Sequence, residues 1–136
     1  MPAFTMAATV RSGYDETLER VRALLADAGF GVLTEIDLRA TLRDKLGVEV
    51  PPRVILGACR PQLAHRALEA DPRVATLLPC NVVVAAEEAG TRVEVLDPAV
   101  MSSLGDAPAL EEVAGEARER LAGMMDALVR GEEERR

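Results

Sequence analysis

The sequence is poor in aromatic residues. Its 136 residues include no tryptophan, one tyrosine and two phenylalanines, so leucine, valine, alanine, isoleucine and methionine must build the core. Proteins that bind single-stranded nucleic acid stack bases on aromatic side chains, and those that bind the phosphate backbone need clustered cations. This chain has a net charge of −7, and its arginines are interleaved with glutamates. We therefore expect no nucleic-acid partner.

Long apolar runs are also missing. A membrane-spanning helix needs roughly 20 apolar residues, whereas the longest runs here, such as 82–86, have the length of a strand. The first residues lack the basic start and the apolar stretch of a signal peptide. The only two cysteines, Cys59 and Cys80, are expected to stay reduced in a chain without an export signal. These features predict a cytoplasmic protein with no membrane partner.

The residues that are present predict an α+β fold. Hydrophobic periodicity and turn signals indicate the order β-α-β-α-β-α-β-β-α. The expected strands are 5–10, 30–36, 53–59, 81–87 and 91–96, and the longest helix is expected at 108–130. A hairpin signal at 88–90 and a half-polar last strand favour an antiparallel or mixed sheet of about five strands, with the last helix packed across one face.

The chain length suits one domain with a core of its own. No repeat or linker divides the sequence, so we expect a single domain over residues 1–136. Within it, the ordered core is expected from residue 5 to 130, with a frayed tail at 131–136.

Residues with distinctive chemistry concentrate between Leu56 and Cys80, a segment that contains both cysteines and the only histidine, His65. The cysteines can be small buried hydrophobes, or a thiol pair activated by the helix that is expected after Cys59. They can also hold a metal ion together with His65, in which case a dimer would supply the fourth ligand that zinc needs. His65 lies about 130° from the apolar face of its helix, so we expect it to be exposed and paired with Glu69.

Other candidates for catalysis have simpler explanations. Asp37 is expected to cap a helix and Asp97 to end a strand. Ser102 and Ser103 have no histidine at a readable spacing, and Gly57 lacks the glycine-rich surroundings of a phosphate loop. We therefore expect no catalytic residue and no nucleotide enzyme.

A known family shares the pattern of this segment. The matching pieces are Leu56-Gly57-Ala58-Cys59-Arg60-Pro61, Ala64-His65-Arg66-Ala67-Leu68, Leu78-Pro79-Cys80-Asn81-Val82-Val83-Val84 and Asp97-Pro98. With them the chain resembles the bacterial and archaeal domain of unknown function 302 family over nearly its whole length. The resemblance implies a fold like the TATA-binding-protein repeat, with a curved, mainly antiparallel sheet, and no established activity. Family members often carry an aromatic residue in place of His65, which argues against this histidine as an indispensable ligand.

Three functions follow as hypotheses. The first is a small-ligand or partner-binding module with a cavity between the long helix and the sheet, and with Cys59, Cys80 and Asn81 at its rim. The alternative is a thiol, redox or metal-binding protein that uses Cys59 and Cys80; no cofactor other than this metal is indicated. The third is an assembly role, as a homodimer formed through a sheet edge or the long helix.

Overall fold

Five strands form one sheet. The computed structural model describes residues 3–104 and 107–134, without the side chain of residue 104. The strands are β1 (Thr5–Val10), β2 (Gly31–Asp37), β3 (Arg53–Cys59), β4 (Cys80–Glu87) and β5 (Gly90–Leu96), in the spatial order β1-β5-β4-β3-β2. Every neighbouring pair is antiparallel. This confirms the predicted α+β class and the antiparallel sheet.

The helices follow the predicted order with two additions. They are α1 (Tyr14–Asp27), α2 (Leu38–Leu46), α3 (Pro61–Ala70), α4 (Ala99–Leu104) and α5 (Pro108–Glu134), with a 3₁₀ helix at Pro72–Leu77. The sequence pattern indicated a loop around Ser102-Ser103, where α4 lies. Helix α4 begins at Ala99, because the backbone N–H of this residue donates a hydrogen bond to a carboxylate oxygen of Asp97 at 2.9 Å. Gly105 and Asp106 of the expected loop lie outside the described residues.

The core lies between one face of the sheet and the helices α1 and α5. Most of the alternate residues of β3, β4 and β5 that point to this face are buried, as are Leu121 and Leu128 of α5. The long last helix therefore packs across one face, as predicted. The opposite face is called the open face below. Among the described residues, no helix is both long and apolar enough to cross a bilayer.

The C-terminal helix continues beyond its expected end. It runs to Glu134, although the sequence predicted frayed residues after Arg130. The Glu132 carboxylate accepts hydrogen bonds from the backbone N–H groups of Arg11 and Ser12, at 2.6 and 3.1 Å, and from the Ser12 hydroxyl at 2.7 Å. These bonds fasten the last turn to the segment between β1 and α1. Residues 135–136 lie outside the described residues.

Candidate functional site

The two cysteines lie on neighbouring strands, where β3 ends and β4 begins. Ala58 is the residue of β3 opposite Cys80, so Cys59 is one residue from the cross-strand partner of Cys80. Cys80 points to the helices and is buried, whereas Cys59 is half-buried, and both thiols are free. The chain between β3 and β4 forms α3 and a 3₁₀ helix and then reverses, so that the two cysteines lie on neighbouring antiparallel strands. The Leu78–Pro79 peptide bond in this connection is cis.

The cavity beside these thiols is very small. Its volume is about 20 Å³, and its walls include Cys59, Cys80, Phe30, Leu63 and Val113. A volume of this size holds about one water molecule. The expected ligand cavity between the long helix and the sheet is therefore filled by side chains at this position.

The surroundings of the thiols disfavour the thiolate form. Burial raises the pKa of Cys59, and burial together with the neighbouring Cys59 raises the pKa of Cys80. The start of α3 does little to reverse this effect. Pro61 has no N–H, and the N–H groups of Leu63 and Ala64 both donate to the Arg60 carbonyl at 3.0 Å. The thiol hypothesis stays a prediction. The position of the two cysteines on neighbouring strands supports it, whereas their raised pKa values argue against a reactive thiolate.

His65 lies apart from the cysteines. It occupies the solvent side of α3, where its side chain is 75% exposed and its Nδ1 lies 3.6 Å from a Glu69 carboxylate oxygen. The expected exposure and the pairing with Glu69 are confirmed. Within residues 3–104 and 107–134, no three histidine, cysteine, aspartate or glutamate side chains are grouped to hold a metal ion. A metal site of Cys59, Cys80 and His65 therefore gains no support from the geometry of a single chain.

Asn81 belongs to the other side of the sheet. Successive residues of a strand point to opposite faces, so Asn81 is exposed on the open face while Cys80 is buried beneath the helices. The expected rim of Cys59, Cys80 and Asn81 around one cavity is therefore not formed.

Cross-strand rows of side chains organise the open face, because residues opposite one another on antiparallel strands point the same way. One row consists of Arg53, Ala85, Arg92 and Thr9, and the next of Ile55, Val83, Glu94 and Ala7. Ala85 is only 5% exposed, because it lies between the two arginine side chains. The rows place apolar side chains at the centre of the face and charged ones around them.

A groove of about 650 Å³ runs over these rows. Ile55 and Val83 lie at its centre, Asn81 lies at one end, and Leu38 of α2 contributes to the wall. Pockets for small organic ligands typically have volumes of about 300–1,000 Å³, with mostly apolar walls and a few polar groups. This groove therefore has the size of such a pocket, and it lies on the face opposite the one where a cavity between the long helix and the sheet was expected.

Charges in the groove are unevenly paired. The Glu94 carboxylate accepts a hydrogen bond from the Thr5 hydroxyl at 2.6 Å and one from Arg92 Nε at 3.1 Å. The hydrogen bond from Thr5, followed by the one from Arg92, lowers the pKa of Glu94. Arg53 makes no ion pair or side-chain hydrogen bond within the described part of the chain. Its positive charge is the smallest of the causes that lower the pKa of Glu94.

The sequence contained a signal for this groove. Arg53 and Ile55 alternate with buried Val54 and Leu56, and β5 shows the same alternation. The half-polar pattern of β5 indicates a solvated face but does not by itself indicate a groove. Arg53, Ile55 and Val83 were missed because arginine and aliphatic residues on a strand are common in any sheet.

Two arginines on the helix side have a structural role. Arg60 Nη1 donates to the Gly29 carbonyl at 3.4 Å, and Arg120 Nη1 donates to the Ala28 carbonyl at 3.1 Å. Both therefore place positive charge at the C-terminal end of α1, where the helix dipole favours it. A groove of about 530 Å³ lies beside Arg120, and its other charged walls are Asp27, Glu116 and Glu119. We assign no ligand to it.

Comparison with known proteins agrees with this architecture. The chain matches the family described as domain of unknown function DUF302 over residues 6–128. No curated protein matches it. It is similar to the crystal structure of an uncharacterized conserved protein DUF302 from Bacillus stearothermophilus, with 35% sequence identity and a TM-score of 0.84 over 92% of this chain and 98% of that chain. The chain therefore belongs to the DUF302 family.

Proposed function

We propose that this protein is a binding module that holds a small organic anion with an apolar body on the open face of its sheet. The observation that carries the proposal is the groove of about 650 Å³, which combines a central apolar surface with the guanidinium of Arg53. Both cysteines are free, which supports placing this function in the reducing cytoplasm.

The shape of the groove sets the size of the ligand. An apolar body contacting Ile55 and Val83 is removed from water, and each buried methylene contributes about 0.8 kcal/mol. Leu38 closes one side, and the Asn81 amide offers a donor and an acceptor at the far end. A compact aliphatic or aromatic group fits this description better than a long polymer.

The charges set the sign and the orientation of the ligand. Since Glu94 is already bound by Thr5 and Arg92, the guanidinium of Arg53 is the cation left to receive a carboxylate or sulfonate. Glu87 at the end of β4 also lines the groove and would repel an anion placed beyond Arg53. The apolar body is therefore directed from Arg53 towards Ile55 and Val83.

Two fluorescent probes that differ in charge test the proposal. The anionic probe is 1-anilinonaphthalene-8-sulfonate, and its uncharged relative is N-phenyl-1-naphthylamine. We expect saturable binding of both probes, with Arg53→Gln weakening the anionic probe by about tenfold, the value of one charge-assisted hydrogen bond, and leaving the neutral one nearly unchanged. Val83→Asp should weaken both probes, because it places a carboxylate at the centre of the groove.

The matched control is Arg130→Gln, which removes the same charge from an exposed position of α5 on the helix side. It should leave both affinities unchanged. The proposal fails if neither probe binds saturably, or if Arg53→Gln and Arg130→Gln have equal effects on the anionic probe.

A further inference from the structure

The outer side of β1 offers unpaired backbone groups. Strand β1 is at one end of the sheet and pairs only with β5. The N–H of Asp97 donates to the Phe4 carbonyl at 2.9 Å, which fixes the phase of the antiparallel ladder. In such a ladder alternate residues bond to the neighbouring strand. Thr5, Ala7 and Thr9 therefore direct their N–H and C=O groups outward, and no backbone partner for them occurs among the described residues.

This edge lacks the features that usually prevent strand pairing. Proteins protect an edge strand with charged side chains, proline or a β-bulge. The sequence of β1, Thr-Met-Ala-Ala-Thr-Val, has no charged residue and no proline, and its register with β5 is regular over all six residues. The opposite edge differs, because β2 has a register shift between Val32 and Thr34 and carries the carboxylates of Glu35 and Asp37. Only one of the two edges is therefore guarded.

The outward residues of β1 are symmetric about Ala7. In an antiparallel pair of β1 strands centred on Ala7, this alanine lies opposite Ala7 of the second chain. Thr5 of each chain then lies opposite Thr9 of the other. The side chains are small, Ala7 and Thr9 are exposed, and threonine pairs across strands are favourable. A two-fold axis at Ala7 generates this arrangement, as expected of an isologous dimer.

From these observations we propose that two copies of the chain pair through β1, antiparallel and centred on Ala7, to form one continuous sheet. The proposal is independent of the ligand proposed above, but it has a consequence for the groove. Phe4 and Thr5 lie at the groove margin nearest β1. The dimer therefore extends the open face across the two-fold axis and sets the two grooves side by side. Because each copy carries a net charge of −7, added salt should strengthen the dimer.

Sedimentation velocity of the full chain over micromolar concentrations tests the interface. We expect the wild type to sediment as a dimer, and Ala7→Lys to raise the dissociation constant at least tenfold by placing two like charges opposite each other. Ala26→Lys is the matched control, because Ala26 is an exposed alanine on α1, away from β1. It should leave the dissociation constant unchanged.

A cross-link tests the register and does not depend on the stability of the lysine variant. Opposite residues in a hydrogen-bonded antiparallel pair have Cα atoms about 5.5 Å apart, a separation that a disulfide can span. Treated with the thiol oxidant diamide, the Ala7→Cys variant should form a disulfide-linked dimer, while Thr34→Cys on β2 should not. A wild type that stays monomeric up to about 100 micromolar, which means a dissociation constant above that concentration, overturns the proposal. So does a dimer in which Ala7→Cys fails to cross-link.

Discussion

Ser12 joins three elements that are far apart in sequence. Its N–H and hydroxyl donate to Glu132 near the end of α5, and its carbonyl accepts the hydroxyl of Thr91 at 2.8 Å and that of Thr17 at 3.4 Å. Thr17 and Thr91 are the buried polar residues among those that the structure describes. Their hydroxyls are satisfied because Ser12 presents one carbonyl with two acceptor lone pairs. The junction fastens the start of α1 and of β5 to the end of α5.

Replacing Glu132 by glutamine should weaken this junction. Glu132→Gln keeps the shape but removes the charge that strengthens three hydrogen bonds, so we expect the free energy of unfolding to fall by about 1 kcal/mol, a small value because the carboxylate is partly exposed. Urea unfolding at pH 7 measures the change. Glu133→Gln removes the same charge one residue away, on the exposed side of α5, and should change the free energy much less. Equal effects of the two variants would show that only the net charge matters.

The thiols should react according to their burial. In the native protein we expect Cys59 to react slowly with a disulfide reagent at pH 8, and Cys80 to react only after unfolding, because burial raises the pKa of both thiols and shields Cys80 more. Cys59→Ala should therefore abolish the reaction of the native protein, whereas Cys80→Ala should retain it. A native Cys59→Ala variant that reacts as fast as a small free thiol would contradict this assignment and revive the thiol function.

At the scale of an element, β4 shows how one strand serves two surfaces. Val82 and Val84 are completely buried against the helices, whereas Val83 lies half-buried on the open face. The strand is almost wholly apolar, so its sequence does not show which side faces the core. The neighbouring strands settle the question, because Arg53, Arg92 and Glu94 lie on the same face as Val83, whereas the cross-strand neighbours of Val84 are Val54 and Val93.

Two adjacent substitutions in β4 should have very different costs. Val84→Asp buries a carboxylate without a partner, and we expect it to lower the free energy of unfolding by more than about 4 kcal/mol or to prevent folding. Val83→Asp exposes the new carboxylate on the open face and should cost only about 1 kcal/mol. Urea unfolding and far-UV circular dichroism compare the two. Similar losses would mean that the open face is covered in solution.

The whole molecule should be most stable near neutral pH. Hydrogen bonds lower the pKa of Asp71 through the Arg73 side chain, that of Glu94 through Thr5, and that of Glu132 through Ser12. In acid the unfolded chain binds more protons at these carboxylates. The contribution of these carboxylates to the free energy of unfolding is therefore present above their pKa of about 4 in the unfolded chain. It is lost as the pH falls through their lower pKa values in the folded protein.

The alkaline side has the opposite sign. Burial raises the pKa of Cys59, Cys80 and Tyr14, so their contribution is complete below the unfolded pKa values, which begin at about 8.5. This contribution to the free energy of unfolding is lost as the pH rises through the higher pKa values of the three groups in the folded protein. The free energy of unfolding, measured in urea from pH 3 to 10, should therefore peak between about pH 5 and 8. In the Glu132→Gln variant, the free energy of unfolding should fall less steeply as the pH is lowered. A free energy that rises towards pH 3 would refute the linkage.

The local pattern determined much of the architecture. The bounds of β1 and β3 matched their predicted ranges, because alternation and proline or glycine breaks are local signals. The end of α5 was misplaced and α4 was not predicted, since Glu132 and Asp97 form hydrogen bonds that helical periodicity does not encode. The expected site residues do not form one group: Cys59 and Cys80 lie on neighbouring strands, whereas His65 is exposed on α3 and Asn81 lies on the open face.

By itself the sequence determined the five strands and four of the helices, their order, the antiparallel hairpin and the exposure of His65, because each depends on neighbours within a few residues. Only the tertiary structure decided that the space beside Cys59 is filled, since the side chains that fill it come from several separate elements. It also decided that Arg53, Ile55 and Val83 share one groove. Strand alternation tells which residues share a face, but the packing of helices on one side of the sheet decides which face stays open.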